Sequence, residues 1–118
     1  MKQLTKISMT MEMFYRTTNT ASAVAIADIP VVEYEALYND LKERMTDARY
    51  HIGHYFATEI ENGLKFYLIL LDDMSGEVYL TSFIPDYYAE GLASLTAVHQ
   101  QFHPFEREIH ELYGVPFD

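Results

Sequence analysis

The central part of the chain contains three strand-like segments joined by two very short links. The segments span residues 49–61, 64–71 and 77–84, and each is rich in aliphatic, aromatic or β-branched residues. The links, residues 61–63 and 72–76, carry turn-forming side chains and glycines. Because a parallel crossover needs about a dozen residues or more, links this short predict antiparallel neighbours. The sequence therefore predicts an antiparallel meander at the centre of the fold.

Two further segments precede this meander. Residues 7–15 largely alternate between apolar and more polar side chains, which predicts a half-buried strand. Pro30 suits the first turn of a helix, and Asp28 just before it is a candidate cap. From there apolar side chains recur at helical spacing, while charged ones fill the opposite face. The apolar stripe comprises Tyr34, Leu37, Tyr38, Leu41 and Met45.

The last segment is predicted to be a helix that begins around His103 and ends before Gly114. Its apolar stripe comprises Phe102, Phe105, Ile109 and Leu112. Pro104 is tolerated only near a first turn, and Gly114 stands where a helix C′ glycine belongs. Strands and helices in this order predict a single α+β domain over residues 1–118. We expect two layers, a mainly antiparallel or mixed sheet of about four strands with helices on one face.

Composition excludes several classes of function. The chain has a net charge of −10 and no cysteine, and Arg107 is the only Lys or Arg after Lys65. It therefore lacks the clustered cations that nucleic acids and anionic lipids require. Without cysteine it cannot form disulfides or hold an iron–sulfur cluster through thiolates. The longest apolar run is far shorter than the ~20 residues that span a bilayer, and the N-terminus resembles no secretory signal, so a soluble, cytoplasmic protein is expected.

The predicted C-terminal helix carries a charged face. At about 100° per residue, Arg107 lies nearly opposite the apolar stripe and can pair with Glu111 one turn further on. Glu106 and His110 form a second predicted pair at the same spacing, and Glu108 lies on the other flank. Read by spacing alone, this is a solvated surface with weak ion pairs, each worth about 0.3–0.5 kcal/mol.

The residue order in this region is more specific than its charge pattern. Ser94-Leu95-Thr96, then residues 105–115 with their Glu-Arg-Glu start and Tyr-Gly-Val end, then Phe117, resemble a known signature. It is that of the C-subunit family of NADH:quinone oxidoreductase (complex I), which includes the small subunit of energy-converting, membrane-bound nickel–iron hydrogenases. The resemblance is strong over residues 94–117 and only architectural over residues 30–84. Ala93 stands where the family has proline, and the early end at Asp118 is expected of the hydrogenase-type relatives.

The resemblance implies a cofactor-free, non-catalytic accessory subunit in the peripheral arm of a complex-I-like respiratory oxidoreductase. Such a subunit docks on the large subunit that houses the quinone site or the nickel–iron centre, and it associates with the inner membrane only through the complex. Iron–sulfur clusters, a nickel–iron centre or quinone are expected in partner subunits and not in this chain. The residues implied to contact the partner are Glu106, Arg107, Glu108, His110 and Glu111.

Two alternatives from other classes stay open on the sequence. One is a stand-alone metal-dependent enzyme, because His103, Glu106 and His110 share a helix face at a spacing that can bind zinc or a related ion. The other is an unrelated acidic protein-interaction domain, for which Tyr87-Tyr88 is a candidate binding surface. Asp72-Asp73 resembles a metal-binding pair but is interpreted as a polar hairpin turn, because it lies between two predicted strands.

Overall fold

The described residues, 13–18, 26–86 and 91–118 in this computed structural model, form a four-stranded sheet and two helices. The strands are β1 (Tyr15–Thr17), β2 (Tyr50–Ile60), β3 (Gly63–Asp72) and β4 (Val78–Phe83). All neighbouring strands are antiparallel, and their order in the sheet is β1-β4-β3-β2. The predicted antiparallel meander is therefore confirmed.

The N-terminal strand prediction is tested only at its end. Residues 7–12 lie outside the described part of the chain, and β1 begins at Tyr15, where the predicted strand ended. β1 pairs with β4, opposing Tyr15 to Leu80, and Val31 forms a parallel bridge to Ser82 further along β4. The edge of β4 that faces away from β3 is thus covered by residues that precede the first helix.

One face of the sheet carries the hydrophobic core. Along β3 every second side chain from Leu64 to Leu70 is buried, and this alternation places them on the same side. Phe66 opposes Phe83 of β4, and their rings stack with centroids 4.8 Å apart. A register shift after Ile52 in β2 lets Tyr55 face the same core.

The first helix, α1, spans Tyr34–Arg44 and begins later than the sequence predicts. The carbonyl oxygen of Pro30 accepts hydrogen bonds from the backbone N–H and the hydroxyl of Ser82, at 3.0 and 2.8 Å. Pro30 therefore belongs to an extended segment along β4, and Asp28 lies in a separate 3-10 turn. The predicted start at Pro30 with an Asp28 cap is wrong, because the sheet uses the backbone groups that the helix would need.

The second helix, α2, spans His103–Tyr113, which confirms its predicted start and end. Gly114 follows with a φ of 71°, the left-handed conformation that glycine adopts without strain. The predicted apolar stripe is only partly right. Phe102 and Ile109 are buried, but Leu112 is 65% exposed. An inward position is taken instead by Glu106, which is only 4% exposed.

Both helices cover the same face of the sheet. Leu37 of α1 and Ile109 of α2 belong to one cluster of buried residues together with Phe66 and Phe83 of the strands. The predicted two-layer α+β arrangement with helices on one face is confirmed. Among the described residues, no helix combines the length and the apolar character needed to cross a bilayer.

Tyr55, at the centre of the core, is expected to be less favourable there than phenylalanine. Its ring packs against Phe66, Phe83 and Phe102, yet its buried hydroxyl has no hydrogen-bond partner among the described residues. Burial raises the pKa of this hydroxyl, so it stays protonated and lacks an acceptor. A buried, unpaired polar group costs about 1–3 kcal/mol. We expect Tyr55→Phe to raise the free energy of unfolding by about 1 kcal/mol, measured by urea titration.

Tyr34→Phe is the matched control for this substitution. The hydroxyl of Tyr34 donates a hydrogen bond to the carbonyl oxygen of Ala93, so its removal should lower the free energy of unfolding by about 1 kcal/mol. The two variants delete the same atom and should change stability in opposite directions. A loss of stability in both would show that the Tyr55 hydroxyl contributes a favourable interaction.

The turn between β3 and β4 is organised by Asp72. Its Oδ1 accepts hydrogen bonds from the backbone N–H groups of Met74 and Ser75, at 3.0 and 3.3 Å. Arg49, just before β2, adds a two-pronged contact in which both N–O distances are 2.8 Å. The hairpin-turn interpretation is confirmed, whereas the sequence does not reveal the ion pair. Hydrogen bonding from the Arg49 guanidinium, supported by the turn residues, holds the pKa of the Asp72 carboxyl well below its usual range.

Replacing Asp72 with asparagine should change how stability depends on pH. A lowered carboxyl pKa stabilises the fold above the ordinary aspartate pKa of about 4, and this contribution is lost as the pH falls towards the folded-state value. We therefore expect Asp72→Asn to lower Tm at neutral pH and to flatten the loss of Tm below about pH 4. Thermal denaturation across the acid range measures this, with the exposed Asp86→Asn as the control. A Tm difference between wild type and Asp72→Asn that stays constant with pH would contradict the role of the ion pair.

Candidate functional site

The two parts of the signature, residues 94–96 and α2, are in direct contact. Glu106 of α2 accepts hydrogen bonds from the hydroxyl of Ser94 at 2.6 Å and from the hydroxyl of Thr96 at 2.7 Å. It also accepts from the backbone N–H of Leu95 at 2.7 Å and of Thr96 at 3.3 Å. One carboxylate thus holds both hydroxyls and two amides of the loop over residues 94–96.

Glu106 does not lie on the solvated face that the charge pattern predicts. The donors of the loop over residues 94–96 draw its carboxylate inwards, because buried N–H groups need an acceptor. The predicted pair between Glu106 and His110 is also wrong. Nδ1 of His110 lies 2.8 Å from the carbonyl oxygen of Val115 and donates to it, since a carbonyl oxygen only accepts. Because its carboxylate is engaged within the chain, Glu106 is not placed for the direct partner contact that the resemblance implies.

The same loop is held from its other side by α1. The hydroxyl of Tyr34 donates to the carbonyl oxygen of Ala93, and that of Tyr38 donates to the carbonyl oxygen of Ser94 at 3.4 Å. Burial, together with the nearby charge of Glu106, raises the pKa of Tyr34 and keeps its hydroxyl a donor. Ala93 contributes only its backbone carbonyl here, a group that a proline at this position would also supply. The loop is therefore fixed between both helices.

Side-chain caps on two consecutive 3-10 turns determine the path of the chain into α2. Ser94 caps a 3-10 turn at Leu95–Ala97, with its hydroxyl oxygen accepting from the N–H of Thr96 at 3.1 Å. His99 caps the next 3-10 turn, Gln100–Phe102, in the same way. The side-chain oxygen of Gln101 then accepts from the N–H of Ile52 at 2.8 Å. These contacts place the start of α2 against the edge strand β2.

The outer face of α2, made of Arg107, Glu108, His110, Glu111 and Leu112, is exposed to solvent. Arg107 and Glu111 form the predicted pair, with Nε and Oε2 3.6 Å apart. The structure thus places four of the five predicted contact residues on one exposed surface. Leu112 is the residue that sequence reasoning missed, because helical spacing assigns it to the core stripe. The inward position of Glu106 shows that α2 is rotated about its axis, relative to the orientation in which the predicted stripe would face the core.

A cleft of about 470 Å³ lies beside the outer face. Its lining includes Ser94, Thr96, His103, Arg107, His110 and Phe117, with Glu106 and Pro116. The C-terminal part of the lining is fixed to Leu92. The N–H of Leu92 donates to the carbonyl oxygen of Pro116, and its carbonyl oxygen accepts from the N–H of Asp118, both at 2.9 Å. The cleft therefore lies between the loop over residues 94–96, α2 and the C-terminal segment.

The residues of the alternative metal site are not assembled as ligands. Within residues 13–18, 26–86 and 91–118, no three His, Cys, Asp or Glu side chains are placed to hold a metal ion together. His103 and His110 both line the cleft, but Glu106 directs its carboxylate to the loop over residues 94–96. The other candidate surface, Tyr87-Tyr88, lies outside the described residues.

The arrangement is suited to binding. It presents an exposed guanidinium, an exposed leucine and a preformed cleft on a helix that is hydrogen-bonded to its neighbouring loop. No protein-family model, no curated protein and no solved structure matches the chain. The family resemblance accordingly rests on residues 94–117 themselves.

Proposed function

We propose that the chain is a non-catalytic accessory subunit of a complex-I-like respiratory oxidoreductase. The complex is either an energy-converting hydrogenase or an NADH:quinone oxidoreductase. The chain docks on the large subunit of the peripheral arm on the cytoplasmic side, and it reaches the inner membrane only through the complex. Iron–sulfur clusters, a nickel–iron centre or quinone belong to the partner subunits.

The contact between Glu106 and the loop over residues 94–96 is the observation that supports this proposal. The signature consists of two pieces of sequence separated by a bridge, and a chance match gives no reason for them to meet. Here the hydroxyls of Ser94 and Thr96 both donate to Glu106, at 2.6 and 2.7 Å. The two pieces therefore behave as one structural motif, in which the residue types are chemically matched to each other.

The outer face of α2 is suited to a protein partner. Leu112 is an exposed apolar residue on the same helix as the Arg107–Glu111 pair, next to Glu108 one turn earlier. Apolar anchors surrounded by polar residues supply much of the binding energy in many interfaces, and a fixed pattern of charges adds specificity. Because Glu106 joins α2 to the neighbouring loop, this face is ordered before binding, which lowers the entropic cost of association.

Purification from native cells tests this proposal. An affinity tag on the chromosomally encoded chain, with gentle extraction, should recover a hydrogenase-like large subunit and iron–sulfur proteins in a fixed ratio. A chain that emerges alone, or with proteins unrelated to electron transfer, would contradict the proposal. Elemental analysis of the purified chain addresses the enzyme alternative, because stoichiometric zinc or nickel in the chain would point to a metal-dependent enzyme.

A further inference from the structure

We infer that the cleft beside α2 binds a carboxylate side chain, an aspartate or glutamate, of the partner subunit. This inference rests on the proposed function, since it names the chemistry of the partner surface that meets α2. The side chains that would receive the carboxylate are Arg107 and His103, and Phe117 provides an apolar neighbour.

Basic side chains are concentrated at this cleft in an acidic chain. The net charge is −10, and between residues 66 and 118 the only basic side chains are Arg107, His99, His103 and His110. Three of these four line the cleft. A carboxylate that approaches this part of the chain therefore finds its one guanidinium at the cleft, which the imidazole ring of His103 also lines.

Arg107 has donors left for such a ligand. Its ion pair with Glu111 has an Nε–Oε2 distance of 3.6 Å, longer than the ~2.7–2.9 Å of a strong charge-assisted hydrogen bond. The Arg107 side chain is 70% exposed, so most of its surface is open to a ligand. The planar guanidinium presents its N–H donors as a fork, which matches the two oxygens of a carboxylate.

The carboxylate already present in the lining does not block this role. Glu106 is 4% exposed, and its two oxygens accept hydrogen bonds from Ser94, Leu95 and Thr96. These donors disperse its negative charge within the loop over residues 94–96. An incoming anion therefore meets the exposed guanidinium of Arg107 before it meets Glu106.

The apolar part of the lining favours a protein side chain over a free anion. Pro116 and Phe117 are held in place by the hydrogen bonds between Leu92 and the C-terminal segment. An apolar residue beside the partner's carboxylate can pack against Phe117, whereas inorganic phosphate gains nothing from that contact. A wall that is fixed before binding also lowers the entropic cost of docking.

Binding of a matched pair of capped peptides to the full chain tests the inference. The probes are acetyl-Gly-Leu-Glu-Gly-amide, its glutamine counterpart, and inorganic phosphate, each titrated into nitrogen-15-labelled protein and followed by NMR. We expect saturable shifts at the Arg107 side chain, Thr96 and Phe117 with the glutamate peptide. Binding of the glutamine peptide should be weaker by about fivefold or more, because the guanidinium loses its charged partner.

Two variants identify the cation responsible. Arg107→Gln should weaken binding of the glutamate peptide about fivefold or more, while Lys42→Gln, which removes an exposed cation from α1, should leave it unchanged. The spectrum of each variant reports whether it is folded. Equal binding of both peptides, equal effects of both variants, or no saturable shift would overturn the inference. If phosphate shifts the same signals and binds with a lower Kd than the glutamate peptide, the inference is also overturned, in favour of a free-anion site.

The peptide titration and the native purification can fail independently. If the purification recovers the large subunit but the peptides do not bind, the subunit role stands and the cleft assignment falls. If the glutamate peptide binds selectively but no oxidoreductase co-purifies, the cleft is a carboxylate site on a chain with a different partner, and the assignment to an oxidoreductase subunit is overturned.

Discussion

Replacing Glu106 with alanine is expected to lower the free energy of unfolding by about 3 kcal/mol. The N–H of Leu95 donates to Glu106 at 2.7 Å in a buried position and would be left unpaired. The hydroxyls of Ser94 and Thr96 can turn to other acceptors, but each loses a hydrogen bond to a charged group. Urea titration followed by circular dichroism measures the change.

Two further substitutions complete this test. Glu108→Ala removes an exposed carboxylate from the same helix and should change stability by less than about 0.5 kcal/mol. Glu106→Gln keeps one acceptor oxygen but turns an amide NH₂ towards the donors of the loop, so its loss should be intermediate. Equal stability of Glu106→Ala and Glu108→Ala would show that the contact with residues 94–96 does not hold the loop.

The sheet could be predicted from the sequence because its constraints are local. Links over residues 61–63 and 72–76 are too short for a parallel crossover, and this alone sets the neighbours of β3. The end of α2 is also a local property, because Gly114 adopts the positive φ that stops a helix. In each case the information lies within a few residues of the feature it determines.

Polar contacts between distant residues could not be predicted in the same way. Helical spacing places Glu106 on a solvated flank of the helix and carries no information about the donors of residues 94–96. The ion pair of Arg49 with Asp72 joins the residue just before β2 to the last residue of β3, and it depends on the register of β2 against β3. The prediction that α1 starts at Pro30 was wrong for a related reason, because the carbonyl oxygen of Pro30 accepts hydrogen bonds from Ser82 on β4. Tertiary contacts override local preferences at all three places.

The sequence therefore predicted most of the residues of the candidate site, and the structure corrected the direction in which their helix faces. The sequence identifies α2 and its charged residues, and the structure keeps Arg107, Glu108, His110 and Glu111 at the surface. The inward turn of Glu106 rotates the helix so that Leu112 emerges on that same surface. An exposed leucine on a helix that also presents charged side chains is a better candidate for docking than a helix that presents charges alone.

Substitution of Leu112 by glutamine is expected to weaken association with the partner about tenfold or more while leaving the fold intact. Leu112 is 65% exposed, and glutamine has similar length and helix propensity, so stability should change by less than about 0.5 kcal/mol. Burial of a leucine at an interface contributes about 1.5–3 kcal/mol, which corresponds to about tenfold in affinity or more. The amount of large subunit recovered per tagged chain measures the association, and Tm measures the fold.

Met74→Gln is the matched control for this substitution. Met74 is also an exposed apolar residue, but it lies in the turn between β3 and β4. Recovery of the partner should fall for Leu112→Gln alone, and an equal fall in both variants would show that the outer face of α2 is not the docking surface. Leu112 is not among the described residues that line the cleft beside α2. A loss specific to Leu112→Gln would therefore assign binding energy to the outer face independently of any carboxylate bound by Arg107.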